Sequence, residues 1–161
     1  MSEIRTRSLS IHEWRQIGLE GGMLPVTILL EGDSMRPLIR RGKDHVTILP
    51  LMRPLIIGDV VLFQAGPERY VVHRVYRLRD DQVQTLGDNC WNPDPWMPLT
   101  QVWGLVIRFE RGGRTHPLDT PLARAWGRAW MAVHPIRLCY KRLRSLAGRC
   151  YRKVFPKHER R

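Results

Sequence analysis

Between residues 24 and 110 the chain breaks into six short runs of β-branched, aliphatic and aromatic residues, set apart by turn-forming residues. The runs are LPVTILLE (24–31), HVTILPL (45–51), GDVVLFQ (58–64), RYVVHRVYRLR (69–79), QVQTLGD (82–88) and VWGLVIRFE (102–110). Runs of this length and composition read as strands. Several at such spacing predict a compact, mainly β domain on a partly closed sheet. The strand period of two puts Tyr70, Val72, Arg74 and Tyr76 on one face of the fourth run, with Val71, His73, Val75 and Arg77 on the other. Asp80 and Asp81 supply a polar turn into the fifth run.

Helical signals flank the strands. Ser10 and Glu13 have capping-box spacing, and IHEWRQIGLE after Ser10 predicts a short helix that stops at Gly21 and Gly22, with Trp14 and Ile17 on one buried face. Thr120 and Pro121 form a cap and first-turn pair. In the helix they open, Leu122, Trp126, Ala129, Trp130 and Val133 share a stripe, with Arg124 and Arg128 pointing elsewhere. Pro135 should kink or restart this helix, after which Ile136, Tyr140, Leu143, Ala147, Cys150, Tyr151 and Val154 continue a similar stripe. Three regions result: a helical segment at 1–22, a β domain at 23–119 and a basic amphipathic tail at 120–161.

Charge follows the same division. The chain carries 27 Lys and Arg against 15 Asp and Glu, a net +12. Residues 1–119 hold 15 basic and 14 acidic side chains, whereas 120–161 hold 12 basic residues and Glu159 alone. A near-neutral domain therefore carries a cationic appendage. Cys90, Cys139 and Cys150 form no C-x-x-C pair and have no closely spaced His, so neither a disulfide framework nor a zinc site is expected. No cofactor is expected, and Cys90 reads as a packing residue. A reducing compartment is the simpler expectation, with the chain cytoplasmic or peripheral on the inner face of the cell membrane. The N-terminus lacks the apolar core of a signal peptide, and no run approaches the ~18–20 apolar residues that span a bilayer.

The stretch EGDSMRPLIRRGK (31–43) lies between two strand runs and carries Ser34 among turn residues. A turn serine and a nucleophile on a sharp bend are both open to it. A nucleophilic hydroxyl needs a base, and the only lysine before residue 141 is Lys43, nine positions on. Histidine remains: His12 in the first helix, His45 at a strand start, His73 within a strand and His116 in a polar loop. His73 alone combines a rigid strand, apolar neighbours and a nearby acid-rich loop, LGDNCWNPDP (86–95). Asp88 or Asp94 of that loop would hold the imidazole in one tautomer and stabilise the imidazolium as Ser34 attacks.

In order and spacing, GDSMRPLI, IGDVVLF, YVVHRV and LGDNCWNPD resemble the type I signal peptidases, within the wider group that includes self-cleaving repressors of the LexA type. The match is to the branch that uses histidine, and it covers roughly residues 24–110. The resemblance implies Ser34 as nucleophile, His73 as general base, Asp94 orienting His73 and Asp88 supporting the site. Met35 and Pro37 would shape the turn, and the Ser34 backbone N–H would face the oxyanion. Two departures stand out. Gly32 occupies the position where signal peptidases commonly carry a serine that helps the oxyanion hole, and no transmembrane anchor is visible.

The expected activity is that of a serine endopeptidase acting on a peptide or precursor protein. A non-enzymatic alternative is a repressor-like β module whose basic tail grips nucleic acid or an acidic partner; the short N-terminal helix offers it no helix-turn-helix. Trp and Tyr beside many arginines suit the tail to an anionic membrane surface. The same charge would meet nucleic-acid phosphates, or the aromatic stripe would pack on the domain and leave its arginines to solvent.

Overall fold

The computed structural model describes residues 11–22, 24–51, 53–140 and 142–144. It is mainly β: a helix α1 (Ile11–Leu19) precedes β1 (Val26–Leu29), β2 (His45–Pro50), β3 (Val60–Gly66), β4 (Arg69–Arg79), β5 (Gln82–Leu86), β6 (Met97–Pro98), β7 (Val102–Arg111) and β8 (Arg114–Pro117), and helix α2 (Pro121–Ala132) follows. All pairings are antiparallel, in one eight-stranded sheet of order β1-β2-β7-β3-β4-β5-β6, with β8 on β7.

All six expected runs are strands, the fourth over its full length. Two further strands were not expected. β6 is two residues long and pairs only Gln82 and Val83. β8 returns on β7 through Gly112 and Gly113, both at positive φ, and this corrects the reading of His116 as a loop residue. His116 lies in β8 with its ring stacked on Phe109, centroids 4.7 Å apart.

The sheet is covered on both faces, which is why β3 reads as an unbroken apolar run. Alternate β3 residues feed two cores. Val60 and Leu62 join Trp14, Val72, Trp103 and Phe109, and Val61 and Phe63 join Leu55, Val75, Val83 and Leu105. The assignment of faces along β4 follows the same split, with Tyr70 and Val72 on one side and Val71 and Val75 on the other. Trp14 anchors α1 to the first core at 1 % exposure and donates from Nε1 to the Leu24 carbonyl. Ser10 and the Ile17 side chain lie outside the described residues.

Helix α2 begins as expected: the Thr120 side chain accepts from the Ala123 N–H, and Pro121 occupies the first turn. The helix ends at Ala132 with Val133 as its cap, and helical structure resumes over residues 134–140, with Pro135 in its first turn. The most deeply buried face of α2 is not the aromatic stripe. Gly127 and Met131 are the buried residues, followed by His134. Gly127 permits backbone-to-backbone contact with Gly58, since a Cβ on it would lie 2.6 Å from the Gly58 carbonyl oxygen. Leu122, Trp126 and Ile136 are 82, 62 and 70 % exposed, and Tyr140 and Leu143 are exposed too. Most of the stripe is therefore exposed, while half-buried Trp130, with Trp126, borders a pocket shared with Pro37, Leu38 and Phe109 of the domain. Ala147, Cys150, Tyr151 and Val154 lie outside the described residues. Among the described residues no helix is long and apolar enough to cross a membrane.

Candidate active site

Ser34 sits on a turn fixed from beneath. Met35 and Ile39 are buried in the first core, and the Ile39 N–H donates to the Met35 carbonyl at 2.9 Å. The Arg36–Pro37 peptide is cis. At the far end of the turn, buried Asp44 accepts the Arg40 N–H at 2.8 Å and two bonds from Arg111 Nε at 3.1 Å, while Arg111 Nη2 reaches the Leu38 carbonyl at 2.7 Å. Burial works against the Asp44 carboxylate, but the Arg111 bonds and the Arg40 N–H outweigh it and hold its pKa below the ordinary value. A core-facing methionine and a partly buried ion pair thus leave half-buried Ser34 at the edge of a cleft.

His73 comes from the middle of β4, opposite Val61 of β3, with its ring 5.9 Å from that of Phe63. It is buried to 7 % exposure. Its Nδ1 lies 2.6 Å from Asp94 Oδ2, and the same oxygen accepts the Thr85 hydroxyl at 2.6 Å. Asp94 reaches this place because the loop after β5 folds back along the strand. The Asp94 N–H donates to the Thr85 carbonyl at 2.8 Å, and Gln84 Nε2 donates to the Asp94 carbonyl at 3.0 Å. Such anchoring fixes one tautomer and one ring orientation.

With Nδ1 committed to Asp94, the other ring nitrogen faces Gly87. A Cβ on Gly87 would lie 3.0 Å from His73 Nε2, 2.8 Å from the Ser34 carbonyl oxygen and 2.6 Å from Cys90 Sγ. The Ser34 turn, the histidine and the 86–95 loop therefore converge on one backbone position that has no room for a side chain. Ser34, His73, Asp94 and Cys90 share a cleft of about 470 Å³ with Leu30–Gly32 and Tyr70–Val72. The Ser34 carbonyl accepts the Asn89 N–H at 2.7 Å.

Asp88 turns away from this cleft. Its two oxygens accept Arg74 Nε and Nη2, each at 3.0 Å, in a fully buried bidentate pair, and Arg74 Nη1 donates to the Gly58 carbonyl at 2.7 Å. The pair ties the loop to β4 one residue beyond His73. From the segment after α2, Arg137 Nη1 donates to the Asp88 carbonyl at 3.2 Å and Nη2 to the Trp130 carbonyl at 3.0 Å, its guanidinium 3.9 Å above the Trp130 ring. Burial pulls Arg137 below the ordinary arginine range, Asp88 opposes this and Arg74 adds to it.

Of the four residues singled out in the sequence, Ser34, His73 and Asp94 border one cleft, while Asp88 forms a separate pair behind it. The other histidines are placed elsewhere. His45 pairs with Glu110 in the β2–β7 ladder, His116 stacks on Phe109, and the His12 side chain lies outside the described residues. Sequence reasoning missed Thr85, Gly87, Arg74 and Arg137 as site residues. Only Gly87 left a signal, as a glycine beside the acid motif. Cys90, read as packing, lines the cleft. Among the described residues no group of three or more His, Cys, Asp or Glu could hold a metal ion.

No protein-family model matches the chain, and no curated protein matches it.

Proposed function

We propose that the chain is a serine endopeptidase of the Ser/His signal-peptidase kind, on the β fold shared with self-cleaving LexA-type repressors, and that it cleaves a peptide or precursor protein. The observation that carries this reading is the 2.6 Å contact between His73 Nδ1 and Asp94 in the wall of the cleft that Ser34 borders. His73 Nε2 takes the proton as Ser34 Oγ attacks the scissile carbonyl carbon, and Asp94 stabilises the imidazolium that forms. The C–N bond then breaks as His73 returns the proton to the leaving amine. Water attacks the resulting ester with His73 again as base, releasing the acid product and the Ser34 hydroxyl. The Ser34 N–H is the assigned oxyanion donor. An extended substrate fits between Leu30–Gly32 and Tyr70–Val72, because β5 pairs with β4 only from Arg74 onward.

The test is incubation with a proteome-derived peptide library and mass-spectrometric identification of new termini. Wild-type protein should generate a consistent set, and Ser34→Ala and His73→Ala should generate none while remaining folded. Equal processing by the Ser34→Ala protein overturns the reading.

A peripheral position on an anionic membrane fits the tail. Leu122, Trp126, Ile136, Tyr140 and Leu143 are exposed on a region that carries nearly all of the chain's net positive charge. Co-sedimentation with anionic vesicles, and its loss in a Leu122→Glu/Trp126→Glu variant, checks this. Binding to duplex DNA that falls steeply with salt, without vesicle binding, would favour the repressor-like alternative instead.

A further inference from the structure

The Asp88 carbonyl and the Asn89 N–H belong to one peptide unit, and that unit is gripped at both ends. Its oxygen accepts Arg137 Nη1 at 3.2 Å, and its N–H donates to the Ser34 carbonyl at 2.7 Å. The Asn89 side chain adds a 3.4 Å bond from Nδ2 to the Asp33 carbonyl. A planar peptide gripped in this way cannot rotate without breaking one contact. A cation on the carbonyl also polarises the amide and strengthens its N–H as a donor.

Arg137 is itself held in place. Its second nitrogen is bonded to the Trp130 carbonyl, its plane lies over the Trp130 indole, and its backbone N–H donates to the Val133 carbonyl at 3.1 Å. The helix that carries Trp130 is seated by the Gly58–Gly127 contact, where Arg74 Nη1 would be 2.8 Å from a Cβ on Gly127. From the basic tail to the nucleophile turn, a continuous set of contacts thus runs through Trp130, Arg137, the 88–89 peptide and Ser34.

We propose that Arg137 is a positioning residue for Ser34, acting through the Asp88–Asn89 peptide, so that the segment after α2 is part of the active-site scaffold. The proposal rests on the peptidase reading for its kinetic consequence, and its structural half stands without it. The Asp88 carboxylate stays bound to Arg74 when Arg137 is removed, so the loop keeps its main anchor and the fold survives.

The experiment uses the full chain as wild type, Arg137→Ala and Arg137→Lys. Backbone amide hydrogen exchange is followed by NMR, and kcat and KM are measured on the best-cleaved peptide of the library described above. Loss of one charged hydrogen bond should speed exchange at the Asn89 amide by about tenfold and lower kcat by a similar factor at unchanged KM. The Val61 and Val75 amides in the β3–β4 region should keep their protection. Arg137→Lys should recover part of both effects, since lysine keeps the charge and loses the second bond and the stacking. Unchanged Asn89 exchange in Arg137→Ala overturns the proposal, as does loss of protection shared by Val61 and Val75, which would mark a general structural role. If the wild-type protein cleaves no peptide, the peptidase reading fails, and Asn89 exchange still decides whether Arg137 holds the peptide bonded to Ser34.

Discussion

His73 and Asp94 meet at 2.6 Å although they are 21 residues apart, and the carboxylate oxygen that meets the ring also accepts the Thr85 hydroxyl. The contact exists because the loop after β5 is bonded back onto Thr85, beside the strand that carries His73. Removing the charge while keeping the shape isolates what the carboxylate does. In serine-protease triads the Asp→Asn change costs ~10⁴-fold in kcat, so Asp94→Asn should bring peptide cleavage close to its detection limit with little change in KM. Thr85→Val should have a smaller effect, about tenfold, through the loss of one charge-assisted hydrogen bond. Steady-state kinetics on both variants provides the check.

Gly87 and Gly32 lie on the two sides of Ser34 and should respond in opposite ways. A Cβ at Gly87 meets the Ser34 carbonyl oxygen, which is backbone and cannot swing aside, together with His73 Nε2 and Cys90 Sγ. Gly87→Ala should destabilise the fold by about 1–3 kcal/mol and abolish cleavage, because the loop must shift away from both groups. At Gly32 the nearest atom to a Cβ is Ser34 Oγ at 3.8 Å, an ordinary contact. Gly32→Ala should therefore be equally stable, so that any loss of cleavage comes from the Cβ entering the cleft beside Ser34 Oγ and not from the fold. Denaturant melts and cleavage assays of the two variants test the contrast.

Arg74 and Asp88 stabilise the site from behind. The pair is fully buried, so deleting one partner strands the other charge without solvent. Arg74→Met or Asp88→Leu alone should cost about 3–5 kcal/mol, and the double variant should recover a large part of that loss. A double-mutant cycle by chemical denaturation measures the coupling. No recovery in the double variant would show that each residue acts independently.

Asp44 gives the fold an acid-sensitive element at the base of the Ser34 turn. Its folded pKa lies below the ordinary value of 3.8, so it releases its proton more readily when folded than when unfolded. The stability it supplies is complete above that ordinary value and is lost as pH falls through the lowered folded value. Between about pH 5 and pH 2, stability should fall less steeply in Asp44→Asn than in the wild type, from a lower starting point. Urea unfolding across that range tests the prediction.

The strand sequence of the domain was legible in the chain because strand formation is declared locally, by β-branched runs and the turns between them. β6 escaped because two residues carry no periodicity. β8 escaped because its RTHP reads as polar, and it is a strand only through the β7 edge that pairs with it. Ser34, His73 and Asp94 could be singled out by residue type, strand position and motif order. Which acid meets His73 was decided by the path of the 86–95 loop, through bonds to Gln84 and Thr85. Arg74 read as one more strand residue and Arg137 as one more charge in a basic tail. Their partners, Asp88 and its carbonyl, are distant in sequence, so only tertiary structure reveals them. The tail shows the same limit. The period of its aromatic stripe was written in the sequence, but which face docks was decided by the backbone contact of Gly127 with Gly58. Periodicity defines the faces of a helix, and the surface it meets selects among them.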